Sequence, residues 1–260
     1  MNTVMQTAAV ATALLLSTSA FGATLNLNSV TAGFHDNVEG DNVRFGDVSD
    51  RTRVTWGLAE DGSDLSRADS SGYVMNTRTA PDQVMDDTAF ELGRFTHNNN
   101  VIYGGLLEGM QLDLNFDVSV DYDETGDFVD LGEHTFTFDI AHNETTNSPI
   151  GGLCDPNDAT NGQGVNINGC ADVVNITGGI AGTSAIINGF ELTLTILGFL
   201  DPVTNEFSSD FFSMERNSNT RILMGEFSVA RVNEVPIPAA GLLLLGSLGG
   251  LGALRRRRKS

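Results

Sequence analysis

Lysine is all but missing from this chain: Lys259 stands alone, next to the C-terminus. Fourteen Lys and Arg face 34 Asp and Glu, a net charge of −20. Five of the basic residues sit in the terminal run Arg255–Lys259, so the body of the chain is more acidic still, about −24. Such a charge repels nucleic acid and anionic lipid and excludes both as expected partners of the body. Aromatic platforms for sugar rings are scarce, with one Trp and three Tyr. Only two cysteines are present, which excludes a thiolate-rich zinc module and a disulfide-dense scaffold. No serine sits in a nucleophile elbow and no His-Glu-x-x-His helix occurs. Acids are so abundant that a carboxylate pair means nothing without geometry. The expectation is a protein that is not an enzyme.

The two ends carry long apolar runs. Residues 8–16 are apolar but for Thr12 and are followed by small residues to Gly22. A run this short suits the core of a signal peptide rather than a bilayer span, with cleavage expected after Gly22. At the other end, Val235-Pro236-Ile237-Pro238-Ala239 precedes an uncharged apolar stretch to Leu254, and Arg255, Arg256, Arg257 and Arg258 close it. Basic residues beside a hydrophobic span stay on the cytoplasmic side, which puts the preceding domain outside, as the signal peptide requires. The expected organisation is signal peptide 1–22, one domain 23–232, and a C-terminal sorting signal 233–260 containing a hydrophobic helix. A Pro motif, an apolar helix and an Arg cluster in that order resemble the PEP-CTERM class of sorting signals in its VPxPA form. That resemblance implies an exosortase-type processing enzyme as partner, a membrane anchorage through the tail before processing, and a setting of exported polysaccharide.

Between the ends the dominant pattern has a period of two. Met110, Leu112, Leu114, Phe116, Val118, Val120 and Tyr122 alternate with polar residues, among them Asp113, Asp117 and Asp121 on the expected outer face. Phe136, Phe138 and Ile140 repeat the pattern, and so do Leu192 and Leu194 within 190–196. Shorter strands are expected at 25–27, 51–56, 90–95 and 221–232. Strict alternation marks half-buried strands, and no segment has helical period with caps. The expected fold is all-β: an antiparallel β-sandwich, jelly-roll-like. In an exported chain an even cysteine count argues for one disulfide, Cys154–Cys170, closing a Gly- and Asn-rich loop.

Two candidate sites stand out. Asp121, Asp123 and Asp127, with Gly126 between, join the two clearest strands in a turn that could wrap Ca²⁺ with oxygen ligands. The turn lacks the bidentate Glu of an EF-hand loop, and its plainer reading is a solvated acidic hairpin. Thr96, His97 and Asn99 follow another expected strand, and His142-Asn143 follows the end of a third. The two His-Asn pairs could meet in a sandwich and offer a metal or ligand site. Their plainer role is to tie down turn backbone.

Val54-Thr55-Trp56-Gly57, Ser71-Gly72-Tyr73, Phe90 to Gly93, Phe95-Thr96-His97-Asn98-Asn99, His142 to Thr145, Cys154 and Cys170 to Val174 together resemble the THxN family of exported proteins, also called the choice-of-anchor K domain. Thr96, His97 and Asn99 match its naming motif, with Ile102 closing it and Val101 where the family has Pro. The resemblance spans roughly 45–230. It implies a β-rich surface domain combined with varied anchors, and implies no enzymatic activity. The first expectation is therefore a non-enzymatic cell-surface or extracellular-matrix protein. The alternative is a carbohydrate-binding module using Ca²⁺, for which Trp56 would have to lie exposed beside Tyr73 or Tyr103.

Overall fold

The computed structural model describes residues 22–48, 51–145, 152–154, 159–177 and 183–232. The signal-peptide and sorting-signal segments, including Val235, Pro236, Pro238, Ala239 and Arg255–Arg258, lie outside the described residues. Strands follow one another almost without interruption. The first six are β1 (Thr24–Glu39), β2 (Arg44–Val48), β3 (Arg51–Trp56), β4 (Ser71–Thr77), β5 (Asp82–Met85) and β6 (Ala89–Asn99). Two long strands, β7 (Leu107–Asp121) and β8 (Val129–Asn143), come next, then the short β9 (Leu153–Cys154) and β10 (Ala159–Thr160). The remainder are β11 (Asp172–Thr177), β12 (Thr183–Ile187), β13 (Phe190–Leu200), β14 (Phe207–Ser208), β15 (Asp210–Ser213) and β16 (Asn217–Arg231). A short 3-10 turn spans Gly164–Asn166.

Two large antiparallel sheets are ordered β15-β11-β8-β7-β1-β5 and β12-β13-β16-β6-β4-β3-β2, with β14 beside β13, and β9 and β10 form a separate two-stranded pair. The alternating residues of β7 and β8 meet in register, Leu112 opposite Phe138 and Leu114 opposite Phe136, and all four are buried. Burying one face of each sheet against the other is the reason for the alternation. The aromatic centre of the interface is Phe116, Phe136 and Phe227, ring to ring, with Phe95 packed against Phe34, Tyr73, Phe199 and Phe211.

A β-bulge decides what β6 shows to the core. Leu223 pairs with Gly93 but Met224 pairs with Glu91, so Leu92 is the extra residue. Its carbonyl accepts the N–H of Arg78 at 2.9 Å. The insertion shifts the inward face from Phe90 and Leu92 to Phe95, His97 and Asn99. A bulge re-aims every side chain beyond it.

The disulfide Cys154–Cys170 is formed, and both residues are buried. It ties β9, which ends at Cys154, to the residues that lead into β11.

Two stability outcomes follow. Phe95→Ala should lower unfolding free energy by about 3–5 kcal/mol in denaturant titration, whereas Val203→Ser, on an exposed turn, should change it by no more than about 0.5 kcal/mol. Replacing both cysteines by Ser should cost about 3 kcal/mol.

Candidate functional site

His97 and His142 come together inside the sandwich. His97 continues the inward parity of Phe95 on β6, and His142 continues that of Phe136, Phe138 and Ile140 on β8. Each is therefore part of a strand rather than of the turn after it. The ring centroids are 5.2 Å apart and perpendicular. Asp172 arrives from β11, where Asp172, Val174 and Ile176 form the inward row. The potential ligand atoms of His97, His142 and Asp172 all lie within 4.8 Å of one another, and all three residues are buried.

Aromatic walls surround the group. Tyr73 lies directly opposite His97 in the β4–β6 ladder, and its hydroxyl hydrogen-bonds His142 Nδ1 across the two sheets. Trp56 stacks on His97 with centroids 5.7 Å apart and planes 19° apart. Gly57, directly after it, turns the chain at φ +102, and a Cβ there would lie 2.6 Å from Ile102. Only glycine permits both the angle and the approach. Trp56 and Tyr73 are fully buried; Tyr73 sits in β4 rather than in the loop-like setting its neighbours in sequence suggest.

Carboxylates complete the site. Glu144 accepts the indole N–H of Trp56 at 3.1 Å and faces His142 Nε2 at 3.2 Å. Asp172 Oδ1 accepts the Thr145 N–H at 2.8 Å and its hydroxyl at 3.1 Å. Asp172 Oδ2, 4.0 Å from His142 Nε2, has no hydrogen-bond partner. Both nitrogens of His97 also lack one. Asn99 donates to the Ser213 carbonyl at 2.9 Å, the backbone-tying role read for it from sequence; His97 has no such role. Thr96 points the other way, its hydroxyl 2.8 Å from that of Thr220. The structure thus brings His97 together with His142, keeps Asn99 on the same inward face of β6 as His97, and leaves Thr96 outside.

Burial sets the protonation of this interior. It holds the His97 imidazole well below its usual range, helped by His142, so the ring is neutral. Burial, then the charges of Asp172 and Glu144, pushes the Tyr73 phenol well up. Burial, then Glu144, pushes Asp172 well above the usual carboxylate range, partly offset by the Thr145 hydrogen bonds. Burial and Glu144 push Glu215 up to about 7, partly offset by Arg216.

The acidic turn is organised differently. Asp121 is buried rather than on the outer face, because its carboxylate accepts the N–H groups of Thr125 at 3.0 Å and Gly126 at 2.8 Å. Asp123 pairs with Arg231 at 2.7 Å. Gly126 has φ +85, as a tight turn requires. The three aspartates are not among the clustered metal-ligand groups of the described residues.

Asp172 and Glu144 escaped the reading of site residues from sequence, and Trp56 and Tyr73 entered it only as platforms for a sugar ring. The parity of Asp172, Val174 and Ile176 was a usable signal; the position of Glu144, beyond a strand end, had none. Comparison with protein-family models and with curated proteins found no match to the chain.

Glu215 provides a pH test. Its folded value, about 7, lies above the ordinary 4.5, so the folded state binds the extra proton between them and stability falls as pH rises through that window. In chelator-treated protein the unfolding midpoint should decline from pH 4.5 to 7, and Glu215→Gln should flatten that decline.

Proposed function

We propose that this is an exported, non-enzymatic surface or matrix domain, displayed after its C-terminal signal is processed. The observation that carries the choice against sugar binding is the complete burial of Trp56 and Tyr73. Neither ring can stack on a ligand from outside, and of the residues considered as platforms only Tyr103 is open, at 44% exposure. The Cys154–Cys170 bond supports an oxidising compartment, where a disulfide persists. The strongly acidic surface favours solubility outside the cell. The chain passes repeatedly between its two sheets, which supports a jelly-roll-like winding, and the THxN resemblance supports the same class of surface domain. The exosortase-type enzyme remains the partner that the tail implies.

The carbohydrate-binding alternative keeps one foothold. A groove of about 640 Å³ is lined by polar residues such as Asn28, Thr52 and Arg78 and apolar ones such as Val30 and Ala80, with no aromatic ring among its lining residues. It ranks second because sugar sites rely on such rings.

Cell fractionation and intact-mass analysis, in a host carrying a matching processing enzyme, test the first reading. The protein should appear outside the cytoplasm, beginning near Ala23 and shortened at its C-terminus. Changing Arg255–Arg258 to Ala should leave an unprocessed, membrane-held precursor. An intact chain in the cytoplasm would sink the proposal.

A further inference from the structure

Burying an imidazole with neither nitrogen bonded, beside a carboxylate oxygen with no partner, costs free energy that a folded interior rarely tolerates. His97 and Asp172 do this together, and they face each other. We propose that His97, His142 and Asp172, with Glu144 as fourth ligand, form a buried structural Zn²⁺ site that cross-links the two sheets.

The orientation of the donors supports this. Metal-binding histidines use one nitrogen for the ion and hold the other by a hydrogen bond, and ligating carboxylates are themselves anchored. His142 shows that arrangement, with Nδ1 held by Tyr73 and Nε2 facing the carboxylates. Asp172 shows it too, with Oδ1 held by Thr145 and Oδ2 free. Tetrahedral zinc with bonds of about 2.0–2.2 Å sets its ligand atoms about 3.3–3.6 Å apart. The ligand atoms of His97, His142 and Asp172 lie within 4.8 Å of one another, and Glu144 Oε2 lies 3.2 Å from His142 Nε2; side-chain shifts of about 1 Å bring the first three into that range.

Charge points the same way. Among the described residues no arginine or lysine forms an ion pair with Asp172 or Glu144; their one partner in such a pair is the His142 imidazole. Two carboxylates and a divalent cation sum to zero, which a low-dielectric interior favours. Two imidazoles with two carboxylates suit zinc, whereas Ca²⁺ takes six to eight oxygens. The cysteines contribute nothing, being joined to each other. Four protein ligands in a buried place leave no open position, the mark of a structural rather than a catalytic zinc.

The test uses the full-length protein, stripped with EDTA and offered ZnCl₂ alone, once folded and once during refolding. Calorimetry and elemental analysis should find one Zn²⁺ per chain. The unfolding midpoint should rise by about 5–10 °C at free Zn²⁺ near a hundred times Kd. Co²⁺ in its place should give the visible bands of a four-coordinate site. His97→Ala and Asp172→Asn should each weaken binding at least tenfold and remove the rise, while His134→Ala, at a partly exposed position, should keep both. Where a variant fails to fold, the unmodified protein decides by itself. No stoichiometric Zn²⁺ by either route would overturn the proposal. So would binding that survives His97→Ala and Asp172→Asn, which would mark an adventitious ion on the acidic surface, or a stabilisation given by Ca²⁺ and not by Zn²⁺.

Discussion

Two curved sheets must hide one face each, and they have only each other to hide it against. Everything else in the molecule is arranged around that constraint. It explains why Phe116, Phe136 and Phe227 meet at the centre, and why alternation is strictest in β7 and β8, which lie side by side within one sheet. The interface is apolar and aromatic along most of its length, where burial is worth roughly 25 cal/mol per Å² of apolar surface.

At one end the same inward rows carry polar residues. Phe95 gives way to His97 and Asn99, Ile140 to His142, and Val174 to Asp172. These side chains have no route to solvent without breaking the period of their strands, so the interior must satisfy them. Part of the answer is internal: Tyr73 to His142, Trp56 to Glu144, Thr145 to Asp172, Asn99 to Ser213. What remains is one oxygen each of Asp172 and Asn99, and His97, a neutral ring walled by Trp56 and Tyr73. A buried polar group with no partner is a sharper pointer to chemistry than any exposed acidic cluster, which is why attention moves from the acidic turn to this end of the sandwich.

The loop after β8 connects to the same end. Thr145 bonds both the Cys170 carbonyl and Asp172, and Asn166 accepts the Ala171 N–H at 2.9 Å. The disulfide therefore holds not only a loop but also the strand start that presents Asp172. In the acidic hairpin, by contrast, the Asp121 carboxylate is used up on backbone N–H groups of its own turn, a local bond that any short Asp-rich hairpin can make.

Much of this was legible beforehand. Period-two runs marked β7, β8 and β13 because a strand's two faces differ in solvent exposure and composition records the difference. Cysteine count and compartment marked the disulfide. His97, Asn99 and His142 were visible as polar residues at strand ends, though placed just past those ends. Three things were decided by tertiary structure alone. The bulge at Leu92 turned His97 inward, and a bulge is a property of the pairing with β16, not of the β6 sequence. The meeting of His97 with His142 and Asp172 depends on how two sheets stack, which no local pattern encodes. The burial of Asp121 depends on a turn closing on its own carboxylate. Sequence by itself determined the strands and their inner faces, because alternation is local; the pairing of sheets decided which inner-face residues touch, because that contact joins residues far apart in the chain.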